Sequence, residues 1–238
     1  MCGIVGYVGD RNILSVLIVG LERLSYRGYD SAGVAVVSDE EISVWKKPGK
    51  VHVLAKELES KSLDGKAGVG HTRWATHGIP NEVNAHPHFD AKRRFSIVHN
   101  GIVENYLQIK SELVGEGFLF RSQTDSEAIV HLIDKYYNGS LVDAVQKAVS
   151  RLEGSFAICV VSAFDSNCMV VVRKNSPLII GVGNNENYVS SDVNALVPHT
   201  KKVIYLEDDT IAQVCQTEIQ MFDFQGNIAE ATGANIFF

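Results

Sequence analysis

The second residue of the chain, Cys2, is the first whose position indicates chemistry. A small residue in second place favours removal of the initiator Met1, which leaves a thiol and a free α-amine on one residue. An α-amine titrates near roughly 7.7–8.0 and a free thiol near about 8.5, so the amine can accept the thiol proton, directly or through one water. The run from Gly3 to Val8 predicts a strand that holds this group at a sheet end. A cysteine here can be an accident of the start site, but as a reactive group it is a nucleophile that carries its own base.

The tripeptide His99-Asn100-Gly101 offers the donors that thiolate attack on an amide requires. Such attack creates an oxyanion, which the Asn100 side-chain amide and the Gly101 backbone N–H could bind. Asn-Gly is also the strongest short hairpin signal, so a plain turn is the alternative. The helical spacing from Ile102 to Val114 counts against a hairpin and predicts a helix directly after Gly101.

Two charged residues could hold the ends of an amino-acid substrate. Arg73 suits bidentate binding of an α-carboxylate, and Asp125 suits an α-ammonium group. Arg73 could equally be a surface arginine, and an acid in the first turn of a helix is favoured by the helix dipole alone. Three neighbours of Arg73 carry weight only as a group, because each alone is typical of a core or a loop: Trp74, Thr76 and His77.

Five histidines between residues 71 and 99 suggest a metal site as an alternative, above all His86-Pro87-His88. They lack a nearby cysteine pair and the H-E-x-x-H spacing of well-attested zinc sites. Gly181-Val182-Gly183 is followed neither by a third glycine nor by a helix, so it does not predict a dinucleotide loop. We therefore expect structural histidines and no metal or other cofactor.

Composition restricts the class of protein. A 45% hydrophobic fraction with 21% charged residues in 238 residues is typical of a globular domain with a sizeable core. A net charge of −6 with scattered basic residues argues against nucleic-acid and membrane-surface binding, since both need clustered positive charge. The short basic run from Lys92 to Arg94 is typical of a hairpin tip. No apolar run reaches the roughly 20 residues of a membrane span, and no signal-peptide pattern is present.

The remaining cysteines, Cys159, Cys168 and Cys215, lie in apolar β-like runs without a C-x-x-C pair. This pattern predicts three buried free thiols. Free thiols fit a reducing compartment, so we expect a cytoplasmic protein.

Hydrophobic periodicity predicts the elements that must position these residues. Strands are predicted at 3–8, 32–37, 42–45, 67–72, 95–99, 156–162, 169–173, 178–182, 188–190, 203–206, 210–214 and 219–222. Helices are predicted at 13–24, 53–58, 102–114, from the capping-box pattern Thr124-Asp125-Ser126-Glu127 onward, and at 141–152. Many antiparallel-looking strands with few helices favour two sheets packed face to face and covered by helices.

Five segments together resemble the N-terminal glutaminase domains of glutamine:fructose-6-phosphate amidotransferases. The segments are Met1 to Gly6, Arg27 to Gly33, His71 to Gly78, His99 to Gly101, and Thr124-Asp125. The likeness covers essentially the whole chain. Related class II amidotransferases usually carry Gln or Pro at the position of Tyr29, so the second and third segments favour the hexosamine-forming family.

The resemblance implies the α+β class, in the form of the four-layer αββα sandwich of N-terminal-nucleophile hydrolases. It implies that Cys2 is the nucleophile, with its α-amine as base and with Asn100 and Gly101 as the oxyanion hole. Arg73 and Asp125 match positions that bind the carboxylate and ammonium of glutamine. The other matched positions are Thr76 and His77 in a loop that closes over glutamine, Trp74 at an ammonia gate, and Arg27 and Tyr29 in a motif near the site.

The implied reaction is hydrolysis of L-glutamine to L-glutamate and ammonia through a Cys2 thioester. In the family, a sugar isomerase region follows this domain and uses the ammonia to convert fructose 6-phosphate to glucosamine 6-phosphate. The chain stops at Phe238 without that region, so we expect residues 1–238 to be one glutaminase domain of a larger, homo-oligomeric enzyme. The alternatives are a glutaminase that serves another acceptor, a non-catalytic glutamine-sensing module and a metal-binding structural domain.

Overall fold

The computed structural model describes residues 2–61, 64–75, 78–229 and 233–235, which form fourteen strands and five α-helices. The strands are β1 (Gly3–Gly9), β2 (Ser31–Ser38), β3 (Glu41–Pro48), β4 (Ala67–Arg73), β5 (His88–Phe89), β6 (Phe95–Val103), β7 (Gly154–Ser162), β8 (Asp165–Lys174), β9 (Ile179–Val182), β10 (Glu186–Ser190), β11 (Lys202–Tyr205), β12 (Thr210–Cys215), β13 (Ile219–Asp223) and β14 (Gly233–Asn235). The helices are α1 (Ile13–Leu24), α2 (Val51–Leu58), α3 (Tyr106–Gly115), α4 (Ser126–Tyr136) and α5 (Leu141–Val149).

The strands form two antiparallel sheets. The larger sheet has eight strands in the order β14-β11-β9-β10-β1-β4-β2-β3, and the smaller has six in the order β13-β12-β8-β7-β6-β5. Between them lies an apolar layer that includes Ile4 of β1, Val69 of β4, Val98 of β6 and Met169 of β8. Helices α1 and α2 cover the outer face of the larger sheet, and α3, α4 and α5 cover that of the smaller. The predicted α+β architecture of four αββα layers is confirmed.

Alternation along the strands decides which residues face the inter-sheet layer. In β1, Ile4 and Val8 lie in this layer, whereas Val5 and Tyr7 pack against the helices. In β6, Val98 faces the larger sheet and Ile97 faces the helices. This period of two extends to the polar strand ends that form the site.

The predicted helix at 102–114 begins later than expected. Ile102 and Val103 continue β6, because they pair with Ser155 and Gly154 of β7, and helix α3 starts at Tyr106. A strand partner about fifty positions away in the chain overrode the local helical spacing. Asn100 and Gly101 therefore lie inside a strand, and the turn alternative for them is wrong.

The predicted helix after Thr124 is confirmed, but its capping box does not form. Asp125, the residue just before α4, makes no side-chain cap hydrogen bond to the helix. The Glu127 carboxylate instead accepts hydrogen bonds from the backbone N–H groups of Arg121 (2.8 Å) and Ser122 (2.6 Å). The Thr124 hydroxyl lies 2.9 Å from that of Ser122. The polar residues around the start of α4 thus stabilise the preceding loop.

The cysteines divide into two classes. Cys159 is a buried free thiol, as predicted. The prediction is wrong for Cys168 and Cys215, which form a disulfide. These two residues lie opposite each other in the register of β8 and β12, 47 positions apart in the chain. Spacing alone does not disclose such a pairing, because it arises from the sheet topology.

Among the described residues, no helix is long and apolar enough to cross a membrane. The basic run at 92–94 lies in the predicted turn, between β5 and β6, where Arg93 has a left-handed backbone (φ 55°).

Candidate active site

Cys2 lies at one end of the space between the two sheets. It precedes β1 directly and shares the strand face of Ile4 and Val8, so alternation directs it toward the smaller sheet. A cavity of about 300 Å³ opens at this end. The residues lining it include Cys2, Arg27, Arg73, Trp74, His86, His99, Asn100, Gly101, Ile102, Thr124, Asp125, Ser126, Ser176 and Pro177.

The surroundings of the Cys2 thiol both oppose and favour its ionisation. Burial raises the pKa of the thiol, while the Trp74 backbone N–H and the Arg73 guanidinium oppose that rise. The Trp74 N–H donates to the Cys2 sulfur at 3.2 Å, and the Trp74 carbonyl oxygen lies 3.5 Å from it. A thiol whose pKa is raised stays protonated at neutral pH, so a nearby base is needed to make it a nucleophile.

Asn100 approaches Cys2 from the smaller sheet. Its side-chain Nδ2 donates to the Cys2 carbonyl oxygen at 3.3 Å, and its Oδ1 lies 2.9 Å from Nε2 of His71. Gly101 follows with φ 126°, and a Cβ at this position would overlap the carbonyl oxygen of Ser155 in β7. The chain at 100–101 thus brings an amide donor and a side-chain-free backbone to the cavity.

Arg73 ends β4, on the same strand face as Val69 and His71. The residue is only 3% exposed, and one terminal nitrogen donates to the carbonyl oxygen of Gly78 at 3.4 Å. Burial lowers the pKa of the guanidinium, with Asp30, Cys2 and Asp125 acting in the opposite direction. Arginine remains charged after such a shift, so the cavity has a cationic wall.

Asp125 contributes the opposite charge to the lining of the cavity. It is buried at the start of α4, where its Oδ2 accepts from the Val103 backbone N–H at 2.9 Å. Its Oδ1 accepts from the Ser126 hydroxyl at 3.3 Å. These bonds hold the carboxylate in place, so its role extends beyond a favourable charge in the first turn of a helix.

Arg27 and Trp74 also line the cavity. Arg27 ends a short 3₁₀ turn (Ser25–Arg27), donates to the Ser191 hydroxyl at 3.3 Å and lies 4.0 Å from the Asp192 carboxylate. The Trp74 side chain is 56% exposed, so it is not a core residue. Its ring passes close to Gly28, where a Cβ would come within 3.2 Å of the indole.

Tyr29 does not line the cavity. Its hydroxyl accepts from the backbone N–H of Val51 at 2.9 Å and from the Ser25 hydroxyl at 3.4 Å, which ties the loop before β2 to helix α2. The other two predicted site residues, Thr76 and His77, lie outside the described residues.

The other described histidines of the 71–99 region form a buried group at the cavity, and two of them, His86 and His99, line it. His86 Nε2 and His99 Nδ1 lie 2.9 Å and 2.8 Å from the Ser126 hydroxyl, and His88 Nε2 lies 3.0 Å from the Thr124 hydroxyl. Burial lowers the pKa of His86 and His88 well below the ordinary value and that of His71 to about 3. Among the residues that the structure describes, no three His, Cys, Asp or Glu side chains are placed so that they could hold a metal ion together. The arrangement is that of neutral histidines in hydrogen bonds.

Sequence reasoning gave no role to two residues that shape the site. Asp30 accepts from the Ala75 backbone N–H (2.6 Å) and the Ser31 hydroxyl (2.9 Å), and its own N–H donates to the Arg73 carbonyl (2.7 Å). It thereby fixes the backbone next to the thiol. Ser126 bridges Asp125 to two histidines, as described above. Asp30 could have been found from its place in the R-G-Y-D-S segment, whereas nothing in the sequence indicated Ser126.

Several known proteins are similar to this chain. It is 51% identical over 226 residues to a glutamine--fructose-6-phosphate aminotransferase of Aquifex aeolicus, covering 95% of this chain and 38% of that protein. It is 46% identical over 226 residues to the protein of the same name from Thermus thermophilus, covering 95% and 37%. The chain therefore spans less than two fifths of the length of these relatives.

A solved structure has the same fold. The glutamine phosphoribosylpyrophosphate amidotransferase of B. subtilis, in complex with ADP and GMP, matches with a TM-score of 0.82 at 25% identity, over 95% of this chain and 50% of that one. The family profile described as a glutamine amidotransferase domain matches residues 58–231. Since this match covers well over half of the sequence, the chain belongs to the glutamine amidotransferase domain family.

Proposed function

We propose that this domain hydrolyses L-glutamine to L-glutamate and ammonia through a thioester on Cys2. One observation carries the proposal: a single cavity contains a thiol, an amide donor, a guanidinium and a carboxylate, from Cys2, Asn100, Arg73 and Asp125. These groups match the reacting carbonyl and the two charged ends of one glutamine molecule. Membership of the amidotransferase family supports this substrate.

In the proposed binding mode, Arg73 pairs with the α-carboxylate and Asp125 with the α-ammonium group. Both charges lie in buried surroundings, where a pairing partner contributes more than it would in water. The side chain of the substrate then extends toward Cys2. Holding the amide carbon at the sulfur replaces a bimolecular encounter with an oriented one.

In the proposed reaction, the α-amine exposed by removal of Met1 takes the thiol proton, and the sulfur bonds to the side-chain carbonyl carbon of glutamine. The oxyanion accepts hydrogen bonds from Asn100 Nδ2 and the Gly101 N–H. Collapse of the tetrahedral intermediate breaks the C–N bond of the substrate amide. The nitrogen leaves as ammonia after it takes the proton held by the α-ammonium group of Cys2. Water then attacks the thioester, which releases glutamate and restores the thiol.

Sequence similarity favours one acceptor for the ammonia. Relatives that are 44–51% identical are named for transfer to fructose 6-phosphate, whereas the phosphoribosylpyrophosphate amidotransferase is 25% identical. We therefore propose that the whole protein aminates fructose 6-phosphate in a sugar isomerase region. The cytoplasmic setting stays a prediction, because the Cys168–Cys215 disulfide removes part of the free-thiol pattern on which it was based. The homo-oligomeric state stays a prediction.

The experiment combines intact mass with an ammonia assay on one sample. We expect a mass that lacks Met1, release of ammonia and glutamate from L-glutamine but not from D-glutamine, and one adduct from an electrophilic glutamine analogue on the peptide that begins with Cys2. An adduct on Cys159, the other free cysteine, would assign the nucleophile elsewhere. Glutamine binding without ammonia release by the matured protein would favour a sensing module.

A further inference from the structure

We propose that His71 is a positioning residue that sets the orientation of the Asn100 side-chain amide. This inference rests on the proposed function, in which the nitrogen of that amide binds the oxyanion. An amide can occupy its site in two orientations that differ by exchange of oxygen and nitrogen. Only the orientation with Nδ2 toward Cys2 offers a donor to the substrate.

The contacts of His71 determine which of its ring nitrogens carries the proton. Nε2 lies 3.1 Å from the backbone carbonyl oxygen of His99 and 2.9 Å from Oδ1 of Asn100. A carbonyl oxygen only accepts hydrogen bonds, so Nε2 must donate. In the neutral ring, Nδ1 then has no proton, and this buried atom has no hydrogen-bond partner among the described residues.

A donating Nε2 in turn selects the Asn100 orientation. Its N–H is shared between the His99 carbonyl and the Asn100 oxygen, so Oδ1 faces His71 and Nδ2 faces Cys2, where it lies 3.3 Å from the carbonyl oxygen. The reversed amide would put two donors against each other and bury an unsatisfied N–H. The catalytic orientation is thus the only one that satisfies both side chains.

The surroundings of His71 keep this arrangement rigid and uncharged. The side chain is fully buried on β4, and its ring lies 4.2 Å from that of His86, centroid to centroid. Burial also lowers the pKa of His71 to about 3, so the ring stays neutral over the working range of the enzyme. A neutral ring with one possible tautomer gives Asn100 the same partner at every physiological pH.

Two substitutions at position 71 separate donation from packing. His71→Leu removes the donor, and we expect kcat to fall roughly 10- to 100-fold with little change in KM, less than for loss of the oxyanion donor itself. His71→Gln can place an N–H near the position of Nε2, and we expect it to restore kcat to within about threefold of wild type. A purely structural role would not produce rescue by a donor together with an unchanged KM.

A double-mutant cycle with Asn100→Ala provides the decisive comparison. Without the amide, His71 has nothing to orient, so His71→Leu should reduce kcat no further in the Asn100→Ala background. Additive losses in kcat, or failure of His71→Gln to exceed His71→Leu, would overturn the inference. Additivity in an enzyme that releases ammonia refutes only the role of His71. Absence of ammonia release from the matured wild type refutes the proposed function.

A spectroscopic measurement covers the case in which the leucine variant does not fold. ¹⁵N NMR of histidine-labelled wild-type protein should show His71 protonated on Nε2 and bare on Nδ1, with no change between pH 6 and 8. A proton on Nδ1 would contradict the inference without any variant.

Discussion

The two ends of the inter-sheet layer are built from the same strand faces but differ in chemistry. Away from the cavity, β1, β4 and β6 contribute Val8, Val69 and Val98 to an apolar core. At the other end the same faces carry Cys2, Arg73 and Asn100 and open into a cavity. The backbone geometry is continuous between the two. Residue type at the strand ends, and not a separate fold, therefore makes the site.

Each end also contains a free cysteine. Cys159 is fully buried in the core next to the sulfur of Met169, and burial raises its thiol pKa far above the ordinary value. Burial also raises the thiol pKa of Cys2, but the Cys2 sulfur accepts a hydrogen bond from the Trp74 N–H. It also faces a cavity with charged walls. A thiol in this layer becomes reactive through its partners and its access to a substrate.

Removal of each thiol separately tests whether Cys2 and Cys159 differ in function. Cys2→Ala should reduce glutamine hydrolysis by more than about 10⁴-fold while leaving glutamine binding largely intact, because the charged anchors lie elsewhere. Cys159→Ala is the matched control, with kcat within about threefold and a loss of about 1 kcal/mol in the free energy of unfolding from the small cavity. Steady-state kinetics, calorimetric binding and chemical denaturation measure the three quantities. Turnover near the wild-type rate in Cys2→Ala would refute the mechanism.

The two ends of β6 offer a second contrast. Asn100→Ala should lower kcat roughly 10²–10³-fold with little change in KM, since the lost donor acts mainly in the transition state. Ser96, on the same strand face at the core end, donates to the His88 carbonyl at 3.2 Å. Ser96→Ala should affect stability by about 1 kcal/mol and leave kcat unchanged. A drop in kcat below tenfold for Asn100→Ala, with an unchanged melting temperature, would remove Asn100 from the proposed catalytic set.

Substitution of a charged residue in the cavity lining should have a smaller effect, and this effect should be on KM. Arg73→Lys should raise KM for glutamine about 10-fold or more, because an ammonium group cannot reproduce a paired N–H fork toward a carboxylate. Arg151 forms such a fork with the Glu112 carboxylate in the outer helical layer. Arg151→Lys should leave KM unchanged, which makes it the control. Equal KM values for the two variants would mean that Arg73 does not bind substrate.

Acid should lower the free energy of unfolding through the buried histidines near the site. His71 has a folded pKa of about 3 against about 6.5 in the unfolded chain, so between these values the unfolded state binds more protons and stability falls as pH falls. His71 alone should cost about 2 kcal/mol in the free energy of unfolding between pH 7 and 5, and burial of His86 and His88 acts in the same direction. Denaturation curves at both pH values measure this loss, which His71→Gln should reduce. Substitution of the exposed His52 by Gln should leave the loss unchanged, and equal wild-type stability at the two pH values would contradict the prediction.

Much of the fold followed from periodicity. The period-two runs identified β1, β4 and β6 with boundaries within a few residues, and the amphipathic run at 13–24 matched α1. The start of α3 could not be predicted, because Ile102 and Val103 acquire β7 as a partner only after the chain has folded. The pairing of Cys168 with Cys215 could not be predicted for the same reason, because it depends on the register that β8 and β12 adopt on folding.

The candidate site was predictable where a residue type is rare for its position. Cys2 and Arg73 stand out because a thiol behind Met1 and an arginine at the end of an apolar strand are unusual, and both line the cavity. Only its motif indicated a site role for Tyr29. In the structure its hydroxyl accepts a hydrogen bond from the backbone N–H of Val51 in α2. Ser126 was missed because a serine near a helix start is ordinary. Its importance comes from three neighbours brought together by folding.

The backbone at Gly101 has a consequence for how this enzyme could be altered by random mutagenesis. A Cβ there would overlap the Ser155 carbonyl of the neighbouring strand, and the positive φ would add strain for any other residue. In a saturation library at this codon, we expect glycine to be the only survivor of a growth selection that depends on the enzyme. Adaptive changes in catalytic rate would then have to come from residues around Gly101 whose side chains can vary without moving a strand.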